Sequence, residues 1–148
     1  MSQIALQDLP NHIGREAVSE WLQITQERVN QFADATGDHQ WIHVDVERAT
    51  REIGGPIVHG FLTLSLLPHL GSGLLPVSGV ARGINYGSDK VRFMNMVAVG
   101  KRVRLHEKLV AVEPKAGGLQ LRKSCTIEIE GEAKPALVAE TITVLYGA

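Results

Sequence analysis

Gly60-Phe61-Leu62-Thr63-Leu64-Ser65-Leu66-Leu67-Pro68-His69-Leu70 is the stretch on which the fold of this chain turns. Phe61, Leu62, Leu64, Leu66, Leu67 and Leu70 leave almost no polar face if it is helical. A helix apolar all round belongs inside a protein, surrounded by sheet or by a partner subunit. Pro68 weakens its last turn. The surrounding sheet is written downstream. Leu119, Leu121, Cys125, Ile127 and Ile129 share one face of a strand, with Lys123 the polar exception. Gln120, Arg122, Ser124, Thr126, Glu128 and Glu130 share the other, which is the period of a sheet with one wet face. Gly117-Gly118 and Gly131-Glu132 are turn signals joining this strand to residues 102–112 and 136–146. A further strand pair is expected at 80–86 and 90–93. An apolar helix followed by four or five antiparallel strands predicts an α+β protein whose curved sheet wraps a long buried central helix. One helix covers little of such a sheet, so a homodimer is expected.

Upstream the chain is helical. Residues 20–24 form a candidate short strand, and Thr25 then reads as a helix N-cap with Glu27 in the first turn. Val29, Phe32 and Ala33 fall on one helical face, and Gly37 supplies the stop. Residues 38–45 are expected to be loop. Asp45 caps a second short helix with Val46, Ala49 and Ile53 inward and Gly54 at its end. Pro56 argues against helix through Gly55.

With 148 residues and no repeat or long linker, residues 1–148 are expected to form one domain. The formal net charge is −1, and the basic residues form no stripe, which argues against a nucleic-acid partner. No run of about 20 apolar residues offers a membrane span, and the N-terminus lacks a signal-peptide pattern. The single cysteine, Cys125, excludes an internal disulfide and a cysteine-based zinc cluster; its place in a strand points to a buried structural thiol. A cytoplasmic location fits these features.

The chemistry sits in Phe32-Ala33-Asp34-Ala35-Thr36-Gly37-Asp38-His39-Gln40-Trp41-Ile42-His43-Val44-Asp45 and in Gly54-Gly55-Pro56-Ile57-Val58-His59-Gly60. A carboxylate, an imidazole and a glycine-led helix start are the parts needed to move protons beside a polarised carbonyl. The two blocks resemble the hydratase signature of the MaoC-like dehydratases, which include (R)-specific enoyl-CoA hydratases and have the hot-dog fold. Residues 85–93 and 131–140 resemble the nodulation protein N-like subgroup. The resemblance implies hydration of trans-2-enoyl thioesters, reversible as 3-hydroxyacyl-CoA dehydration. It implies Asp38 as the base that takes a proton from water. His43 positions that water and shares in proton delivery to C2. The N–H of Gly60 is the expected donor to the thioester oxygen. The substrate is an acyl-CoA or acyl-carrier-protein thioester, and neither a metal nor a cofactor besides coenzyme A is implied.

Blander readings accompany each residue. Asp38 alone reads as a turn residue, His43 as a hydrogen-bonded half-buried histidine, and His59 as an orienting residue of its loop. Trp41 packs on the motif loop or lines the acyl site. Some family members place a serine on the central helix; here that position falls equally on Ser65 or Pro68. Lys90, Arg92 and Arg102 are candidates for coenzyme A phosphates, or are solvated strand ends. Asp38, His39, His43 and Asp45 are metal-ligand types, but the four-residue spacing of the histidines aims both one way only on a helix. Gln40-Trp41 replaces the Asn-Pro of many hydratases. Two alternatives stand beside hydration: a thioesterase, and a non-catalytic acyl-thioester-binding protein.

Overall fold

The computed structural model describes residues 2–148. Its frame is a sheet of long antiparallel strands, β5 (Val80–Phe93), β6 (Arg102–Lys115), β7 (Gly118–Ile129) and β8 (Leu137–Gly147). The order is β6-β7-β8-β5, and the short strands β2 (Glu16–Val18) and β3 (Leu22–Gln23) pair with the outer edge of β6. A separate parallel pair, β1 (Ile4–Ala5) and β4 (Val77–Ser78), closes the N-terminal end. The β6–β7 hairpin pairs Lys115 with Gly118. Its two turn residues, Ala116 and Gly117, both have positive φ, the backbone twist that suits a two-residue hairpin loop.

Strand β7 alternates as expected, with Leu121, Cys125, Ile127 and Ile129 buried. The odd residue on that face, Lys123, has a partner: its Nζ lies 3.3 Å from the buried carboxylate of Glu107 on β6. Burial pushes the Cys125 thiol above its ordinary value, consistent with a structural role. The two expected pieces at 80–86 and 90–93 are one strand, β5, which among the described residues pairs only with β8. Register shifts beside Gly87 and between Asp89 and Arg92 break its alternation, which is why it reads as two pieces.

The helical layer is α1 (Gln26–Thr36), α2 (Trp41–Val44), α3 (Val46–Ile53), α4 (Gly60–Ser65) and α5 (Leu67–Leu70). Thr25 caps α1 through its side chain, and Gly37 ends it at φ 83°. Asp45 caps α3 in the same way, with Gly54 at its end. Of the residues expected inward on α3, only Ala49 is buried; Val46 and Ile53 are exposed. The central segment is not one long helix. It breaks at Leu66 into α4 and α5, because Pro68 has no N–H to return to the carbonyl four residues earlier.

The segment is nonetheless central. Leu62, Leu66, Leu67 and Leu70 pack with Val103, Leu105, Ile127, Ile129 and Leu137 in one buried cluster against the sheet. Each such leucine contributes about 1.5–3 kcal/mol on burial. Phe61 departs from the expectation, being 68% exposed. Among the described residues no helix is long and apolar enough to cross a membrane.

Candidate active site

Local sequence builds α2 only weakly: four residues, no side-chain cap and no periodic pattern. Its hold comes from neighbours. Ile57 N–H donates to the Ile42 carbonyl at 2.9 Å, and Gln26 Nε2 donates to the His43 carbonyl at 2.8 Å. His43 Nδ1 lies 2.6 Å from the Ile57 carbonyl. A carbonyl only accepts, so this contact assigns the proton to Nδ1 and leaves Nε2 with its lone pair. His43 is thus buried in a helical turn, not carried on a loop.

His59, immediately before α4, is 2% exposed. Its Nε2 lies 3.0 Å from the Asp38 carbonyl, so Nε2–H donates and Nδ1 is the acceptor. Nδ1 is buried and, among the described residues, has no hydrogen-bond partner. The ring stacks on His43 at 3.8 Å between centroids, and the Phe32 ring of α1 lies 4.9 Å from it at a tilt of 55°. The His59 side chain therefore pins the Asp38 backbone and packs against the His43 ring.

Asp38 itself is exposed, its carboxylate receiving one long contact from Gln40 N–H at 3.4 Å. A carboxylate oxygen of Asp38 and a ring nitrogen each of His43 and His59 nevertheless lie within 4.8 Å of one another. The donor set suits a metal, but the ring orientation does not. Imidazole lone pairs lie in the ring plane, and these rings are nearly parallel, at 23°. A cation about 2.0–2.1 Å from one nitrogen would lie well outside the plane of the other ring. The histidine and aspartate weighed from sequence are occupied elsewhere: His39 bonds Asp34 at 2.9 Å, which raises its pKa, and Asp45 caps α3.

Beside the cluster is a cavity of about 480 Å³ whose wall includes His43, Gly60, Thr63, Phe93, Asn95 and Lys134. Gly60 begins α4, so the helix itself leaves its N–H unsatisfied. A Cβ built on Gly60 would meet the Phe93 ring at 3.1–3.4 Å, so glycine keeps this wall open. Sequence reading missed Gln26, Thr63, Asn95 and Lys134. Thr63 lies one helical turn after His59, a spacing that offered a signal; the others carried none.

Several expected residues stand apart. Ser65 is exposed and absent from the cavity wall. Trp41 is also outside the wall, and the Arg48 guanidinium lies 4.1 Å over its ring. Lys90 pairs with Glu140 at 3.1 Å, and Arg102 pairs with Glu130. Arg92 donates to the neighbouring Val91 carbonyl. The structure gathers Asp38, His43, His59 and Gly60, and leaves these five outside.

An antiparallel sheet packed around a short, broken apolar helix is the hot-dog architecture, shared with solved (R)-hydratases. Residues 8–127 match the family described as MaoC like domain, and the chain belongs to that family. It is 57% identical over 126 residues to 3-hydroxyacyl-thioester dehydratase Z of Mycobacterium tuberculosis, covering 84% of this chain and 83% of that one. It is 44% identical over 150 residues to nodulation protein N of Rhizobium leguminosarum bv. viciae, covering 98% and 93%. The unliganded R-hydratase PhaJ1 from Pseudomonas aeruginosa superposes with a TM-score of 0.76 at 21% identity, covering 92% of this chain and 83% of that one. The (R)-hydratase from A. caviae involved in PHA biosynthesis superposes at 0.73 and 25% identity, covering 88% and 94%.

Proposed function

We propose that this protein is a hydratase of trans-2-enoyl thioesters, (R)-specific and reversible as a 3-hydroxyacyl-thioester dehydratase. The observation that carries the reading is the Asp38–His43 arrangement beside the cavity, with His43 Nε2 an acceptor. Two acceptors hold one water by its two hydrogens and leave its lone pair for C3. Asp38 takes one proton as the C3–O bond forms, electrons move to the thioester oxygen, and the pair returns a proton to C2. The product gains a hydroxyl on C3 and a hydrogen on C2, so the atoms balance. The Gly60 N–H faces the thioester oxygen as it gains charge. The named activity of the mycobacterial relative supports the same reaction.

The proposal includes one cytoplasmic domain and no metal or resident cofactor; the stacked histidines favour a held water over a cation. It also includes a homodimer. Ile84, Tyr86 and Phe93 of the edge strand β5 are exposed, as are Phe61, Met94 and Met96 near the cavity, an apolar surface of the kind that marks an interface. Sedimentation of the purified protein tests the dimer, and elemental analysis tests the metal.

The deciding experiment follows loss of the conjugated double bond in crotonyl-CoA and longer trans-2-enoyl-CoAs, with free thiol measured in parallel. Loss of conjugation without thiol is expected. Thiol release would make the protein a thioesterase, and binding without turnover would make it an acyl-thioester-binding protein.

A further inference from the structure

Among the described residues, Lys134 is the one lysine or arginine on the cavity wall, and no carboxylate lines that wall. The residue is exposed and, among the described residues, its ammonium has no ion-pair partner. The backbone beneath it is anchored. Asn95 Nδ2, also on the cavity wall, donates to Glu132 Oε1 at 2.8 Å and to the Lys134 carbonyl at 3.3 Å. The N–H groups of Met94 and Asn95 donate to the Ala136 carbonyl at 2.9 and 3.4 Å. The chain on both sides of Lys134 is therefore tied to the cavity wall, while the ammonium stays free on a flexible stem.

An unpaired cation on a wall that no carboxylate lines is complementary to an anion that approaches the cavity without entering it. The thioester must reach His43, and the carrier arm behind it stays toward solvent, where Lys134 is exposed. We infer that Lys134 receives a phosphate of the pantetheine-borne carrier and is the residue that favours carrier-borne thioesters over phosphate-free ones. The inference deepens the proposed hydration and rests on it. It moves the expected phosphate contact from Lys90 and Arg102, whose charges are spent on Glu140 and Glu130, to a lysine at the cavity.

The test compares crotonyl-CoA, crotonyl-4′-phosphopantetheine and crotonyl-pantetheine on wild type, Lys134→Gln, Lys134→Glu and Lys134→Arg. Lys134→Gln should raise KM for phosphate-bearing thioesters about fivefold, the scale of one exposed charge pair. Lys134→Glu should raise it further, Lys134→Arg should restore it, and added salt should shrink the difference. Neither kcat nor the kinetics on crotonyl-pantetheine should move. An effect on both phosphorylated substrates assigns the contact to the 4′-phosphate that coenzyme A and acyl carrier protein share. An effect on crotonyl-CoA alone assigns it to the nucleotide phosphates. Equal changes on crotonyl-pantetheine, or none on any substrate, would overturn the inference. So would a Lys134→Glu loss that tracks a carboxylate at the acyl end of a pantetheine thioester. If wild type hydrates none of the three, the hydratase reading fails separately. Titration of coenzyme A itself then decides: weaker binding by Lys134→Glu supports the phosphate contact, and equal binding removes it.

Discussion

His43 and Asp38 lie five positions apart in sequence, but the protein grips them very differently. The His43 ring donates to Ile57, its carbonyl accepts from Gln26, and its face is covered by His59. Asp38 is gripped through its backbone, where the His59 ring donates to its carbonyl, while its carboxylate is exposed. The histidine is thus oriented during folding, which in the proposed reaction spares that cost. The exposed carboxylate would keep freedom to follow the proposed water. Catalysis and stability should therefore separate at Asp38 and be entangled at His43.

The largest effects should break that contrast open. Asp38→Asn should lower hydration at least about a hundredfold, with an unchanged denaturant midpoint because the side chain supports no packing. His43→Ala should lower hydration as far, and should also cost about 1 kcal/mol or more of stability by leaving the part-buried Ile57 carbonyl without its donor. Parallel kinetics and urea unfolding check both. Equal stability losses in the two variants would mean that the Asp38 carboxylate is structural after all.

Next in size is the helix start. Gly60→Val should lower turnover at least about tenfold, since misplacing a bound group by roughly 1 Å can cost about a hundredfold. Its clash is with one partly exposed ring, Phe93, so adding Phe93→Ala should return much of the loss. A double variant as slow as the single one would locate the damage in the α4 backbone. Gln26→Leu is gentler: it removes one donor to the His43 carbonyl, worth about 0.5–1.5 kcal/mol. The expected result is a lower unfolding midpoint and a kcat reduced a few-fold at constant KM.

What sequence reading reached follows the range of the forces involved. Thr25, Gly37, Asp45 and Gly54 were legible because capping is settled within a few residues. The β7 alternation was legible because one face is buried along its length. The α2 turn was not, since it is held by Gln26 and Ile57 from other elements. Lys123 looked anomalous until β6 brought Glu107 beside it. The candidate block stood out through its motif: Asp38, His43 and His59 converge, and His43 and Gly60 share a cavity wall. Lys134 and Asn95 reach the cavity from segments far along the chain, and no local pattern marks either one. Lys90 and Arg102 carried the right charge, but pairing across strands had already used it.

The smallest effect supplies the control for the acid–base comparison. On the wet face of β7, Glu128 accepts from Arg104 Nε at 2.7 Å and contacts His106 Nε2 at 2.6 Å. Arg104 first, and His106 with it, hold the Glu128 carboxyl below its ordinary range. A carboxyl lowered in the native state stabilises fully above its unfolded value, and the contribution disappears as pH falls through the lowered native one. The partners are partly exposed, so less than about 1 kcal/mol is at stake. Glu128→Gln should therefore flatten a small part of the acid-side fall in unfolding midpoint and leave kcat at each pH as in wild type. Acid loss of turnover that persists in Glu128→Gln then does not come from the Arg104–Glu128–His106 cluster. If the substitution shifts the pH profile of kcat instead, the wet face of the sheet is coupled to the site. The contrast between a fixed histidine and a free carboxylate would then have to include strands β6 and β7.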